Sequence, residues 1–167
     1  MLQALVTAMP DADLMLGKPL PVQAVKTLFD AGLSDNALGR IHWLIDGPDR
    51  LAQYRQLAQT LGKPLKLALE IDVGLHRGGM AAGEALGEVL NAIKAEPNFQ
   101  FTAMMGYEPH VPKVPEIFGQ RQRSLEYAWN TYSQAQAQVI DVLGGDAMAG
   151  AIRNAAGSPT YRLYKDT

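Results

Sequence analysis

The 167-residue chain contains no cysteine, which excludes disulfides and thiolate chemistry. It has no excess of either charge: 15 Lys and Arg stand against 17 Asp and Glu, for a net charge of -2. A nucleic-acid binder would need a basic patch or stripe, so that class is set aside. No apolar run approaches the 18 or so residues of a membrane span. Met1-Leu2-Gln3-Ala4-Leu5 has neither a basic segment nor a cleavage signal, so no secretory peptide is read there and a cytoplasmic location is expected. Internal repeats, linkers and low-complexity segments are also missing. What is present is a chain 47% apolar, long enough for one domain with a core, expected over residues 1–167.

The apolar periodicity alternates between strand and helix. Residues 1–9 read as part of an amphipathic helix and residues 14–18 as a short buried strand ended by Pro19 and Pro21. A helix is expected over 22–31, with Gly32 as its stop. Strand 41–46 follows, then a helix opened by Pro48 that carries Leu51, Tyr54, Leu57 and Leu61 at helical spacing. Strand 66–72 comes third, with a helix over 82–95 that places Leu86, Val89, Leu90 and Ile93 on one face. Strand 99–106, a long helix over 117–143 and a short strand near 149–153 complete the pattern. Such alternation predicts an α/β fold, a parallel sheet with helical crossovers. An open doubly wound sheet and a (β/α)8 barrel both fit. About five units are too few for a closed barrel of about 250 residues, so the expectation is part of a TIM-type barrel, with units missing at both ends.

The stretch from Lys66 to Met80 organises the site reading. A buried strand ends at Glu70 and Asp72 and runs into a glycine-rich loop holding Arg77. Carboxyl ends of parallel strands collect functional groups. Glu70 and Asp72 alternate with Ile71, so both are expected on one side, meeting Arg77, with one of them possible as a purely structural partner. Gly74, Gly78 and Gly79 equally suit a plain tight turn with Arg77 solvated. The segment Asn154-Ala155-Ala156-Gly157-Ser158-Pro159-Thr160-Tyr161 offers hydroxyls and amides in one small loop, which suits either a phosphate cradle or an ordinary turn. His42, His76 and His110 form no metal-ligand spacing, and no metal is assigned within the chain.

Glu-Ile-Asp-Val-Gly-x-x-Arg-Gly-Gly (residues 70–79) resembles a strand and loop of the alanine-racemase-like, type III barrels that bind pyridoxal phosphate. It is most similar to their D-threonine aldolase and D-serine dehydratase branch, where Asp-x-Gly-x-x-Arg-x-Gly recurs. Gly106-Tyr107-Glu108-Pro109-His110 resembles a Gly-Tyr-Glu-Gly-His segment of the same branch, with Pro109 in place of a glycine and one amide fewer. The Gly157 loop resembles the family's phosphate-binding loop. The resemblance implies pyridoxal 5'-phosphate as cofactor, held by Arg77, Tyr107, Asn154, Gly157, Ser158 and Thr160, with Asp72 and His110 on the substrate side.

It also implies a parent that cleaves, deaminates or racemises a D-amino acid, a homodimer, with a divalent metal in the full-length parent only. The family's Schiff-base lysine lies upstream of anything matching residues 1–20. Lys18, in Gly-Lys-Pro-x-Pro, matches a later strand, so no catalytic residue is assigned and the chain alone is expected to be inactive. Three other readings stay open: a non-catalytic pyridoxal-phosphate-binding barrel, an unrelated phosphate-binding barrel enzyme, and a fragment without activity.

Overall fold

The computed structural model describes residues 1–164. Helix α1 (Leu2–Ala8) precedes strand β1 (Leu14–Met15), and helices α2 (Val22–Asp30) and α3 (Asp35–Leu38) lead to β2 (Ile41–Ile45). Helix α4 (Pro48–Leu61) crosses to β3 (Leu65–Ile71), α5 (Glu84–Ala95) to β4 (Phe99–Gly106), and α6 (Gln120–Leu143) with α7 (Gly145–Ala149) to β5 (Ile152–Asn154). All four strand pairs are parallel and the spatial order is β1-β2-β3-β4-β5. A doubly wound sheet reverses direction at a switch point. This one never does, so its crossovers stay on one face and the sheet curls into a half-barrel.

Alternation along the strands sorts the two faces. Trp43, Ile45, Leu67, Leu69, Ile71 and Met104 belong to the large core beneath the helices. Leu44, Ala68, Ala103 and Met105 form a separate small cluster on the other, inner face. Two residues beyond Ala68, Glu70 continues that inner face toward the carboxyl end of β3. Nearer the amino ends, His42 Nδ1 donates to Thr102 Oγ1 at 2.7 Å, because that hydroxyl spends its own proton on the Leu67 carbonyl at 3.1 Å. Burial and the neighbouring Lys66 ammonium lower the His42 pKa, against the opposing pull of Asp13.

The strand expected near 149–153 forms only over Ile152–Asn154, because Gly145–Ala149 is helical, and two further boundaries move for local reasons. Helix α6 starts at Gln120 rather than 117, because Phe118 and Gly119 both take positive φ (52° and 70°), which a right-handed helix excludes. Only Leu14 and Met15 of the first strand join the ladder, although the Leu16 amide still donates to His42 O at 3.2 Å before Gly17 and Pro19 turn the chain away. Once under way, α6 buries Leu125, Ala128, Tyr132, Ala135 and Val139 along one stripe, and the Tyr132 hydroxyl donates to the Met104 carbonyl at 3.2 Å.

Leu67 is fully buried at the centre of the sheet. Leu67→Ala is therefore expected to destabilise the chain by about 2–5 kcal/mol in denaturant unfolding. A loss below about 1 kcal/mol would contradict its placement in the core beneath the helices.

Candidate functional site

The carboxyl ends of the strands form a mouth, and its centre is an ion pair. Arg77 Nη2 donates to Glu70 Oε1 at 2.5 Å and to the Gly17 carbonyl, just past β1, at 3.3 Å. The Glu70 side chain is 5% exposed and that of Arg77 28%. A carboxylate so deeply placed needs a charged donor, since an unpaired buried charge is costly. The guanidinium also lies over the Tyr107 ring, 4.9 Å from its centroid, a cation–π contact that fixes the height of its plane. A residue of β3 and residues from just beyond β1 and β4 thus converge on one side chain.

Glycines make this convergence possible. At Gly79 (φ 93°) a Cβ would sit 2.8 Å from the Glu70 carbonyl oxygen, where the returning loop bonds to the strand through Met80 N to Glu70 O at 2.9 Å. At Gly157 a Cβ would lie 2.5 Å from Tyr107 Cε2, so only glycine lets the loop after β5 lie against that ring.

The loop after β5 is held from two sides. Thr160 is fully buried, and its hydroxyl accepts from Gly157 N at 2.7 Å and lies 3.2 Å from Gly157 O. Glu108, 1% exposed, accepts from the Ala156 amide through Oε2 at 3.3 Å, steadying a residue at φ 67°. Its other oxygen, Oε1, is buried with no hydrogen-bond partner within bonding geometry among the described residues. Burial, with the Glu108 carboxylate beside it, pushes the Tyr164 pKa up. Ser158 and Asn154 are exposed, the latter at the end of β5.

Arg77, Tyr107 and Gly157 are therefore brought together, while the expected meeting of Asp72 with Arg77 is not found. Asp72 does not meet Arg77. Its carboxylate accepts from Gly74 N (3.1 Å), His76 N (2.9 Å) and His76 Nδ1 (2.7 Å), because the chain has left β3 and strand alternation no longer applies. His110 lies beside Gly74, its Nε2 3.6 Å from where a Gly74 Cβ would be. Thr160 spends its hydroxyl on the loop itself. Glu108 and the Gly17 carbonyl are the contributors that sequence reasoning missed. An acid next to Tyr107 at a strand end was the available signal for the first, and a backbone carbonyl leaves none. Among the described residues, no three His, Asp or Glu side chains gather as metal ligands.

Burial alone would raise the Asp72 pKa, but the bonds from the His76 ring and from the His76 and Gly74 amides outweigh it and hold the carboxyl below its ordinary value. A folded value below the unfolded one gives stability that is present above the unfolded pKa and lost as pH falls through the folded one. The stability difference between the wild type and Asp72→Asn is accordingly expected to shrink as pH drops below about 4, read by denaturant unfolding between roughly pH 5 and pH 3. A difference that stays constant across that window would contradict the assigned bonds.

A family model described as alanine racemase, N-terminal domain, matches residues 16–166. The 3-hydroxy-D-aspartate aldolase of Paracoccus denitrificans (strain Pd 1222) is 26% identical over 117 residues, covering 70% of this chain and 29% of that protein. Among solved structures, alanine racemase of Clostridium difficile 630 superposes with a TM-score of 0.72 at 15% identity, over 95% of this chain and 39% of that one. D-threo-3-hydroxyaspartate dehydratase from Delftia sp. HT23 gives 0.69 at 12%, over 92% and 44%. The structural likenesses establish the fold, a portion of an alanine-racemase-like barrel. The chain spans less than a third of the curated relative's length and less than half of either structure's.

Proposed function

The chain belongs to the alanine racemase N-terminal domain family, and from that premise we propose that its mouth is part of the seat of pyridoxal 5'-phosphate in an enzyme acting on D-amino acids. The observation that carries the reading is the stack of Arg77 over Tyr107 against Gly157, anchored by the buried Glu70 carboxylate. It joins a fixed guanidinium, a flat aromatic face and a close backbone approach at the carboxyl ends of parallel strands, where barrel enzymes hold their ligands.

The residues present fit the group. Gly157 leaves room that any side chain would fill with a clash against Tyr107. The exposed Ser158 hydroxyl and amide are the donors of the loop for a phosphate, while Thr160 and Glu108 hold the loop in shape by occupying the Gly157 and Ala156 amides. Arg77 supplies a planar, permanently charged fork for the cofactor or the substrate carboxylate, and Glu70 restricts how that fork can turn. Asn154, at the end of β5, is assigned to the cofactor side, and Asp72 and His110 are assigned to the substrate side. When bound, pyridoxal phosphate supplies the electron sink for bond cleavage at the amino acid's α-carbon.

The finer assignment is a lyase of the aldolase or dehydratase kind, taking a D-amino acid with a β-hydroxyl. Two relatives named for 3-hydroxyaspartate chemistry support it. The parent enzyme is proposed to be a cytoplasmic homodimer.

Titrating the purified chain with pyridoxal phosphate, followed by cofactor absorbance, tests the reading. Saturable binding is expected, weakened about 10- to 100-fold by Arg77→Ala and less by Ser158→Ala, in line with the loss of a hydrogen bond to a charged group. Arg77→Lys should recover only part, because a point charge cannot reproduce the fork. Wild-type affinity in both Arg77→Ala and Ser158→Ala would overturn the assignment.

A further inference from the structure

The loop leading into α6 ends in an apolar tip that the mouth does not use. Phe118 is 89% exposed and Ile117 beside it 54%. Phe118 also holds a φ of 52°, a backbone conformation that bulky residues rarely take. The tip is nonetheless fixed at three points. Arg123 Nη1 donates to the Phe118 carbonyl at 2.7 Å, Arg121 Nε to the Val114 carbonyl at 3.2 Å, and the Gln120 amide to the Ile117 carbonyl at 3.1 Å. A strained backbone held in place by its surroundings points to a function. A rigid aromatic side chain presented to solvent, with arginines at its base, has the composition of an interface hot spot.

A cleft of about 520 Å³ lies beside the tip, walled by the loop after β3, the loop after β4 and the first turns of α6. Val114, Gln120 and Arg123 line it, so the tip sits on its rim, flanked by lining residues and tied to one of them. Tyr127, 58% exposed, gives the cleft an aromatic wall, and Gly74 keeps the space beside it open, since a Cβ there would come within 3.1 Å of Tyr127 Cε1. The exposure of Phe118 shows that its ring does not fill this cleft from its own chain. A knob and a hole side by side on one face are what a two-fold, self-complementary contact requires.

We propose that this face joins two copies of the chain, with the Phe118 ring of each seated in the cleft of the other. Phe118, Ile117 and Tyr127 from both copies would bury on the order of 1,000 Å², about the least a specific interface needs. Charge agrees with the pairing. Exposed Glu116 precedes the tip and Arg121 and Arg123 follow it, so two-fold apposition sets acid against base. The cleft walls are the loops after β3 and β4, so the contact also braces the segments that carry Arg77 and Tyr107. The interface takes up the homodimer proposed above and gives it a face, and it needs nothing from the cofactor reading of the mouth.

Sedimentation velocity of the purified chain over a wide concentration range is the test. A reversible monomer–dimer equilibrium is expected. Phe118→Gly removes the knob while suiting the positive φ, so it should raise the dimer Kd by about tenfold or more without lowering Tm. Ser124→Trp, which fills the cleft and leaves the knob, should weaken the dimer as well. An equimolar mix of the two variants retains one intact knob and one intact cleft, and should form a heterodimer tighter than either variant's own dimer. A chain that stays monomeric overturns the proposal, and so does a mix that pairs no better than its components. A dimer whose Kd is unchanged in Phe118→Gly overturns this face while leaving the homodimer itself. A monomer that instead cosediments with phosphatidylglycerol vesicles, and ceases to in Phe118→Gly, assigns the tip to a membrane surface and overturns the second copy as its partner.

Discussion

The Glu70 carboxylate is the constraint on which the mouth depends. Strand alternation places it on the inner face of the sheet, where water is largely excluded and an unpaired charge is costly. One cation meets the demand, and meeting it dictates the path of the loop. Arg77 lies seven residues on, so the chain must reverse within the segment 72–79 and return to the strand, which it does through the Met80–Glu70 backbone bond and the tight approach at Gly79. The guanidinium, once placed, lies over Tyr107, and the Tyr107 ring in turn leaves room only for a glycine at 157. One buried acid thereby sets the relative positions of the segments after β3, β4 and β5.

The same logic separates groups that hold the site from groups left for a ligand. Glu70, Glu108, Thr160 and Asp72 are committed to protein partners. Among the described residues, Ser158 and the outer face of Arg77 are not committed in this way. An alanine-racemase-like barrel portion that spends four polar side chains on shaping two loops has the preorganisation that ligand binding at a strand-end mouth requires.

Much of this was legible in the sequence where a single local rule decides the outcome. Strand 99–106 was readable because its apolar run is bounded by a charged turn on one side and Gly106 on the other, and β4 spans Phe99–Gly106. Helix α4 was readable from Pro48 at its start and from the helical spacing of Leu51, Tyr54, Leu57 and Leu61. Periodicity alone left an open sheet and a barrel both possible, because the choice depends on strand order, a property of long-range pairing. The expected barrel portion rested on the number of units and on the resemblance, and the sequential strand order bears it out. Helices α3 and α7 went unread because each is a single short turn between loop-forming residues. Partner choice at the site was half legible. Alternation offered both Glu70 and Asp72 to Arg77, and Glu70 takes it, whereas Asp72 lies one residue past the strand, where the pleat no longer dictates direction and the local bonds to His76 win.

The central claim is that Arg77, held by Glu70, is a ligand-contacting group rather than a surface charge. Nitrogen-15 NMR of the Arg77 guanidinium in the intact chain tests it most directly, because it reads that group without requiring turnover. The account predicts resolved, slowly rotating Nη resonances that depend on Glu70, collapse to an averaged signal in Glu70→Gln, and shift saturably on addition of pyridoxal phosphate. A single averaged Nη signal in the wild type, unaltered by Glu70→Gln and by the cofactor, would contradict it.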